Sequence, residues 1–208
     1  MERHSIDAIV KPLNTANVRY LVAGELAVVA HGYVRFTADI DLIVDLEPAN
    51  VTRAVTALER LGYRPRAPVA FGEFADPQKR TQWARDKNLT VFSVYSPQHP
   101  LTEIDLFVDP PLDFEAAYRS AVRKEVAPGV AATFIGIGDL PRLKERAVWE
   151  RGWDGHETQQ RERWSRLPLS EKLRWLEEAH HLVLHLSSVA TTSAAPADDN
   201  GGVAKSSR

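Results

Sequence analysis

The stretch Ala38-Asp39-Ile40-Asp41-Leu42-Ile43-Val44 decides the reading of this chain. Two acids stand one residue apart inside an apolar run of strand length. Side chains alternate across a strand, so Asp39 and Asp41 share one face while Ile40 and Leu42 take the other. Two neighbouring carboxylates repel, by about 1 kcal/mol at 4 Å in water and about 4 kcal/mol at an effective dielectric near 20. A cation, a proton or exposure has to offset that cost. Hard divalent cations take oxygen ligands, and Mg2+ typically uses one or two carboxylates plus substrate phosphates. The plainer alternative puts both acids on the solvated face of an amphipathic edge strand.

Downstream, Thr102-Glu103-Ile104-Asp105-Leu106-Phe107-Val108 repeats the grammar. Glu103 and Asp105 share a face, and Ile104, Leu106 and Val108 share the buried one. Should this strand pair beside the first, Asp105 completes a three-carboxylate cluster able to hold two Mg2+ ions for in-line phosphoryl chemistry. Upstream, Tyr20-Leu21-Val22-Ala23-Gly24-Glu25 reads as a strand entering a glycine turn and a helix, whose first N–H groups suit phosphate. In His31-Gly32-Tyr33-Val34-Arg35-Phe36-Thr37, Arg35 and Thr37 approach the acids at two-residue spacing. They can reach phosphates, or Arg35 can form a structural ion pair with Asp39 or Asp41.

Further out, the pattern mixes short strands and helices. Helices are expected from Ser5 to Thr15 (with Pro12 against its second half), Gly24 to Gly32, Pro48 to Gly62, Pro77 to Lys87, Asp113 to Ser120 and Asp139 to Trp149. Strands are expected over Arg19 to Ala23, Asp39 to Val44, Tyr63 to Arg66, Leu89 to Tyr95 and Thr102 to Val108, the last two joined by a Pro-rich loop. Arg123 to Val126 and Val130 to Ile135 read as a hairpin about Pro128-Gly129. The fold class is therefore α+β: a mixed sheet with flanking helices, followed by C-terminal helices. The expected organisation is an α/β core over 1–136, a helical segment over 137–186 with a helix capped by Ser170, and a disordered tail over 187–208 rich in Ser, Thr, Ala, Asp and Gly.

Composition narrows the function classes. With 208 residues, 44% hydrophobic and 26% charged, the chain has ample material for a core. A net charge of −2 excludes coating of nucleic acid by bulk charge. The absence of cysteine excludes disulfides, thiolate metal sites and cysteine nucleophiles. Neither a signal-peptide h-region nor a membrane-length apolar run is present, so the expectation is a cytoplasmic protein with no membrane partner. The Arg-rich run from Arg161 to Arg174 around Trp164 reads as a solvated helix face or an RNA contact, and the spacing of His181 and His185 as a helix face or a metal pair.

The run YLVAGELAVVAHGYVRFTADIDLIVD, followed by LTEIDLFVD and then DLPRLKERA, resembles the polymerase-β-like nucleotidyltransferase superfamily. Within it, the run is similar to the small bacterial group of AbiEii-type toxins and minimal nucleotidyltransferases. The resemblance covers Val18 to Trp149. It implies that Asp39, Asp41 and Asp105 are catalytic and bind two Mg2+ ions with a nucleoside triphosphate, Asp105 helping to activate an acceptor hydroxyl. It implies that Gly24 cradles the β- and γ-phosphates and that Lys144 lies near the triphosphate, with a solvated helix lysine as the plainer reading of Lys144. The implied reaction moves a nucleoside monophosphate to an RNA, protein or small-molecule hydroxyl, and the implied setting is the toxin arm of a toxin–antitoxin pair with a cognate antitoxin. Two departures stand out. Relatives carry Gly-Gly or Gly-Ser where this chain has Gly24-Glu25, and the R-x-x-D-x-x-D motif of many relatives does not align with Trp149 to His156. They open a second reading: a catalytically decayed member acting as a binding or regulatory module.

Overall fold

The computed structural model describes residues 6–33, 39–109, 112–145 and 184. The expected helix from Ser170, the run from Arg161 to Arg174, the pair His181 and His185, and the tail over 187–208 lie outside the described residues.

The chain builds α1 (Ile6–Thr15), β1 (Tyr20–Val22), α2 (Gly24–Ala30), β2 (Asp39–Val44), α3 (Pro48–Arg60), β3 (Arg64–Pro65), a 3-10 turn (Phe71–Ala75) and α4 (Pro77–Lys87). Then follow β4 (Val91–Ser96), β5 (His99–Phe107), α5 (Phe114–Ser120), β6 (Val122–Ala127), β7 (Val130–Phe134) and α6 (Leu140–Glu145). Seven strands form one mixed sheet in the order β3-β4-β5-β2-β1-β7-β6. The α+β class with a mixed, helix-flanked sheet is thus as the sequence predicts.

The acid-bearing strand β2 is the middle strand of the sheet, and all six of its residues are buried. It runs antiparallel to β1 and parallel to β5. This overturns the alternative of a solvated edge strand: β2 is paired on both sides and all its residues, the two acids included, are buried.

One face of the sheet is the core. Val22, Leu42, Leu106 and Phe92 lie in one cross-strand row. The Phe92 ring packs on Trp83 at 5.3 Å, Phe74 at 5.1 Å and Phe71 at 6.0 Å between centroids. The 3-10 turn and α4 therefore cover this face. α3 places Val51, Ala54, Val55 and Leu58 in the interior, at a helical spacing that gives it one apolar stripe.

Asn50, buried in the first turn of α3, ties the neighbouring ends of β1 and β2. Its Oδ1 accepts from Arg19 N at 2.9 Å, and its Nδ2 donates to Arg19 O at 3.1 Å and Asp45 O at 2.9 Å. The same helix starts at Pro48, as its fixed φ favours. Its cap is Glu47, whose carboxylate accepts from Ala49 N and Asn50 N.

Two local expectations are corrected. α1 runs through Pro12 to Thr15. The proline forgoes one helical bond, at a cost of about 3 kcal/mol. Burial of Ile9, Val10 and Leu13 offsets it at about 1.5 to 3 kcal/mol each. Between β4 and β5 there is no Pro-rich loop: Ser96 pairs with His99 across a tight turn at Pro97 and Gln98, and β5 begins at His99. Pro100 sits at the start of that strand, where a missing N–H is tolerated.

Candidate active site

The second face of the sheet carries the acids. β2 and β5 pair in register, Asp39 opposite Glu103 and Asp41 opposite Asp105. Neighbouring strands lie about 4.8 Å apart, so side chains at matched positions on one face are neighbours. The sequence predicts a shared face on each strand; the pairing places the two faces side by side. All four are buried: Asp39 is 5% exposed, Asp41 1%, Glu103 4% and Asp105 2%.

The rows extend outward. Asp105 faces Ser93 of β4, and Ser93 O accepts from Arg66 N at 3.0 Å. On the other side, Ala23 N donates to Asp41 O at 2.9 Å, which brings the start of α2 against β2. Gly24 follows there with φ of +62°, and a Cβ on it would stand 1.9 Å from Asp41 Oδ2. Gly24 is thus the residue that makes room for the Asp41 carboxylate.

Asp41 is the electrostatic focus. Its carboxyl is pushed up to about 8, first by burial, then by the charges of Asp105 and Glu25. Its Oδ1 is buried with no hydrogen-bond partner among the described residues. Such an atom costs about 1 to 3 kcal/mol, more when charged, so the position calls for a proton or a cation. Glu25 is therefore close enough to act on Asp41.

Glu103 has a different environment. Arg66 forms a bidentate ion pair with it, Nε to Oε1 and Nη2 to Oε2, the latter at 2.9 Å. The pair holds the guanidinium charged and at the rim of the acidic face, with the Arg66 side chain 45% exposed. Arg66 and Tyr95, over whose ring the guanidinium lies at 5.0 Å, are site residues that the sequence reading did not single out. Their only signal was membership of two short extended segments flanking the acids.

No protein-family model matches the chain, and no curated protein matches it. The site has to be read from its own chemistry.

Among the described residues, no group of three His, Asp or Glu side chains is arranged to hold a metal ion by itself. The residues still fit Mg2+, which binds through one or two carboxylates and completes its shell with water and substrate phosphates. The donors are hard oxygens, and Asp41 Oδ1 is buried with no hydrogen-bond partner among the described residues. Of the remaining expected residues, Arg35 and Thr37 lie outside the described residues. Lys144 lies on α6, after the sheet. His31 ends α2, and its Nε2 hydrogen-bonds with Ile135 O at 2.8 Å, a structural tie between α2 and the end of β7. Among the described residues, no helix is long and apolar enough to cross a membrane.

Proposed function

We propose that the protein is a Mg2+-dependent nucleotidyltransferase of the cytoplasm, moving a nucleoside monophosphate from a nucleoside triphosphate to an acceptor hydroxyl. The observation that carries this reading is the register of β2 and β5, which sets Asp41 directly opposite Asp105 in a buried acidic face. Acids so placed are expensive unless they serve a cation or a proton transfer.

In this reading Asp39, Asp41 and Asp105 would hold the Mg2+ ions, which supply charge neutralisation for the triphosphate and its leaving pyrophosphate. The chain's own residues do the rest. Gly24 keeps α2 against Asp41 with no side chain between them. Asp105 takes the proton of the acceptor hydroxyl as its oxygen bonds to the α-phosphorus and the bond to the pyrophosphate oxygen breaks. The buried strands hold both carboxylates in place, so little reorganisation is needed during reaction. Arg35, Thr37 and Lys144 are assigned to the phosphates. The biological setting implied by the resemblance is a toxin countered by a cognate antitoxin.

A second reading, a decayed member acting as a binding or regulatory module, is favoured by one observation: Glu25 adds its negative charge to Asp41. Label transfer separates the two. The protein is incubated with each nucleoside triphosphate labelled at the α-phosphate, Mg2+, and total RNA, total protein or a small-molecule cell extract as acceptor. Enzymatic function predicts label on one acceptor class, absent with Asp41→Asn. No label from any nucleotide onto RNA, protein or small molecules, with nucleotide still bound, would support the module instead.

A further inference from the structure

Beside the acids stands a second cluster that the proposed reaction does not use. β3 and β4 form the edge of the sheet, and Arg64 pairs with Tyr95 across them. Cross-strand partners point to one face, with Cβ atoms about 5 Å apart. The Arg66 guanidinium lies 5.0 Å over the Tyr95 ring and is paired with Glu103, so this face is the acidic one. Arg64 is exposed, Tyr95 is 37% exposed and the Arg66 side chain 45%. A basic and aromatic rim therefore borders a buried acidic centre, joined to it by the Arg66–Glu103 pair.

Arg66 is built into that position. A guanidinium has five N–H donors in a fixed fork. Glu103 engages Nε and Nη2, which leaves Nη1 outside the pair. Its own N–H is spent on Ser93 O, so the backbone too is fixed relative to Asp105. A cation held this rigidly loses little entropy on binding an anion. Tyr95 adds an exposed ring, and aromatic rings with adjacent arginines are the recurring platform for a nucleobase and its phosphate.

We infer that Arg64, Arg66 and Tyr95 form a nucleotide-binding rim, the arginines taking a phosphate and the Tyr95 ring stacking a base. The inference rests on the reading of the acidic centre as a nucleotidyl-transfer site. One nucleotide chemistry has two sources here, the incoming triphosphate and the end of an acceptor strand. Glu103 acts as a positioning residue for Arg66.

The test uses the full chain and three variants: Tyr95→Ala, Arg64→Gln, and the charge-neutral double change Arg66→Gln with Glu103→Gln. The double change removes both partners of the ion pair, so no buried acid is left alone. Each protein is titrated with each Mg2+-nucleoside triphosphate by calorimetry and with a mixed-sequence single-stranded RNA by fluorescence anisotropy, and its thermal midpoint is recorded. The expected result is a loss of about tenfold or more in one arm for Tyr95→Ala and for the double variant, the scale of one base–aromatic stack, with the midpoint near that of the wild type. Loss in the triphosphate arm names the incoming nucleotide as the source, and loss in the RNA arm names the acceptor. The inference is overturned if variants that keep the wild-type midpoint bind both ligands like the wild type, or if the wild type binds neither. Triphosphate binding that needs Asp41 but ignores the rim would sink the inference alone and leave the transfer reading intact. A variant that unfolds is replaced by Tyr95→Leu or by Arg66→Lys, which keep bulk or charge without the ring or the fork.

Discussion

Asp41 of β2 and Asp105 of β5 stand directly opposite each other across a parallel strand pair, both buried in the middle of the sheet. Two carboxylates in that relationship cannot both carry charge without help. The predicted consequence is an inverted pH dependence. In the unfolded chain Asp41 releases its proton near the ordinary aspartate value of about 3.9; in the fold it keeps it up to about 8. Between those values the folded state holds one more proton than the unfolded state. Stability of the metal-free protein therefore falls as pH rises through that window, by up to about 1.4 kcal/mol per pH unit. Denaturant titrations from pH 5 to pH 8 check the slope, and Asp41→Asn should flatten it and be the more stable protein at pH 8. A slope as steep in Asp41→Asn would assign it to another group.

Mg2+ should substitute for that proton. Added to the wild type at pH 8, it is expected to raise the melting temperature, and to raise it less at pH 6, where the proton competes for the same oxygens. At about 100 times its dissociation constant, a ligand specific for the folded state contributes about 2.7 kcal/mol. Thermal melts with and without Mg2+ read the effect. Asp41→Asn should show little of it, and an equal shift in that variant would mean the cation binds elsewhere.

Gly24 and Asp41 should be coupled in stability. Gly24→Ala meets two penalties: about 1 to 2 kcal/mol for an L-residue at positive φ, and about 1 to 3 kcal/mol for overpacking against Asp41 Oδ2. In an Asp41→Ala background the carboxylate is gone and only the first penalty remains. A double-mutant cycle by urea unfolding should therefore give a clear coupling energy. Strict additivity would mean that the two residues do not press on one another.

Glu25 is expected to weaken nucleotide binding rather than to assist it. Its charge opposes ionisation of Asp41, and it would repel a triphosphate brought to that carboxylate. Glu25→Gln should tighten Mg2+-nucleotide binding several-fold, read by calorimetry, with the thermal midpoint at pH 8 unchanged or raised. Weaker binding in Glu25→Gln would make the glutamate a ligand-holding residue instead.

The acidic strands were legible because alternation of Asp with Ile and Leu is a local pattern, complete within seven residues. Their pairing was not, since register between β2 and β5 is set by a fold that joins positions some sixty residues apart. Burial of the acids was equally hidden: Asp-x-Asp looks the same on an edge strand and on a central one. The Arg66–Glu103 pair spans 37 residues, and no local signal marks Arg66 among the chain's many arginines. Pro12 and Pro97 misled in the same direction, each suggesting less regular structure than the chain forms. Burial outweighed the first in α1, and the second proved to be one corner of a tight turn. Glu47 capping α3 was missed because a glutamate at that position is an uncommon cap, yet its carboxylate reaches two N–H groups.

The most direct test of the proposed transfer site is calorimetric titration of the full chain with each of the four nucleoside triphosphates, in the presence and absence of Mg2+, on the wild type and on Asp41→Asn. The acidic face predicts binding of at least one nucleotide that requires Mg2+ and is lost in Asp41→Asn while the protein stays folded. Binding that is indifferent to Mg2+ and to Asp41, or no binding of any nucleotide by the folded wild type, would contradict the site.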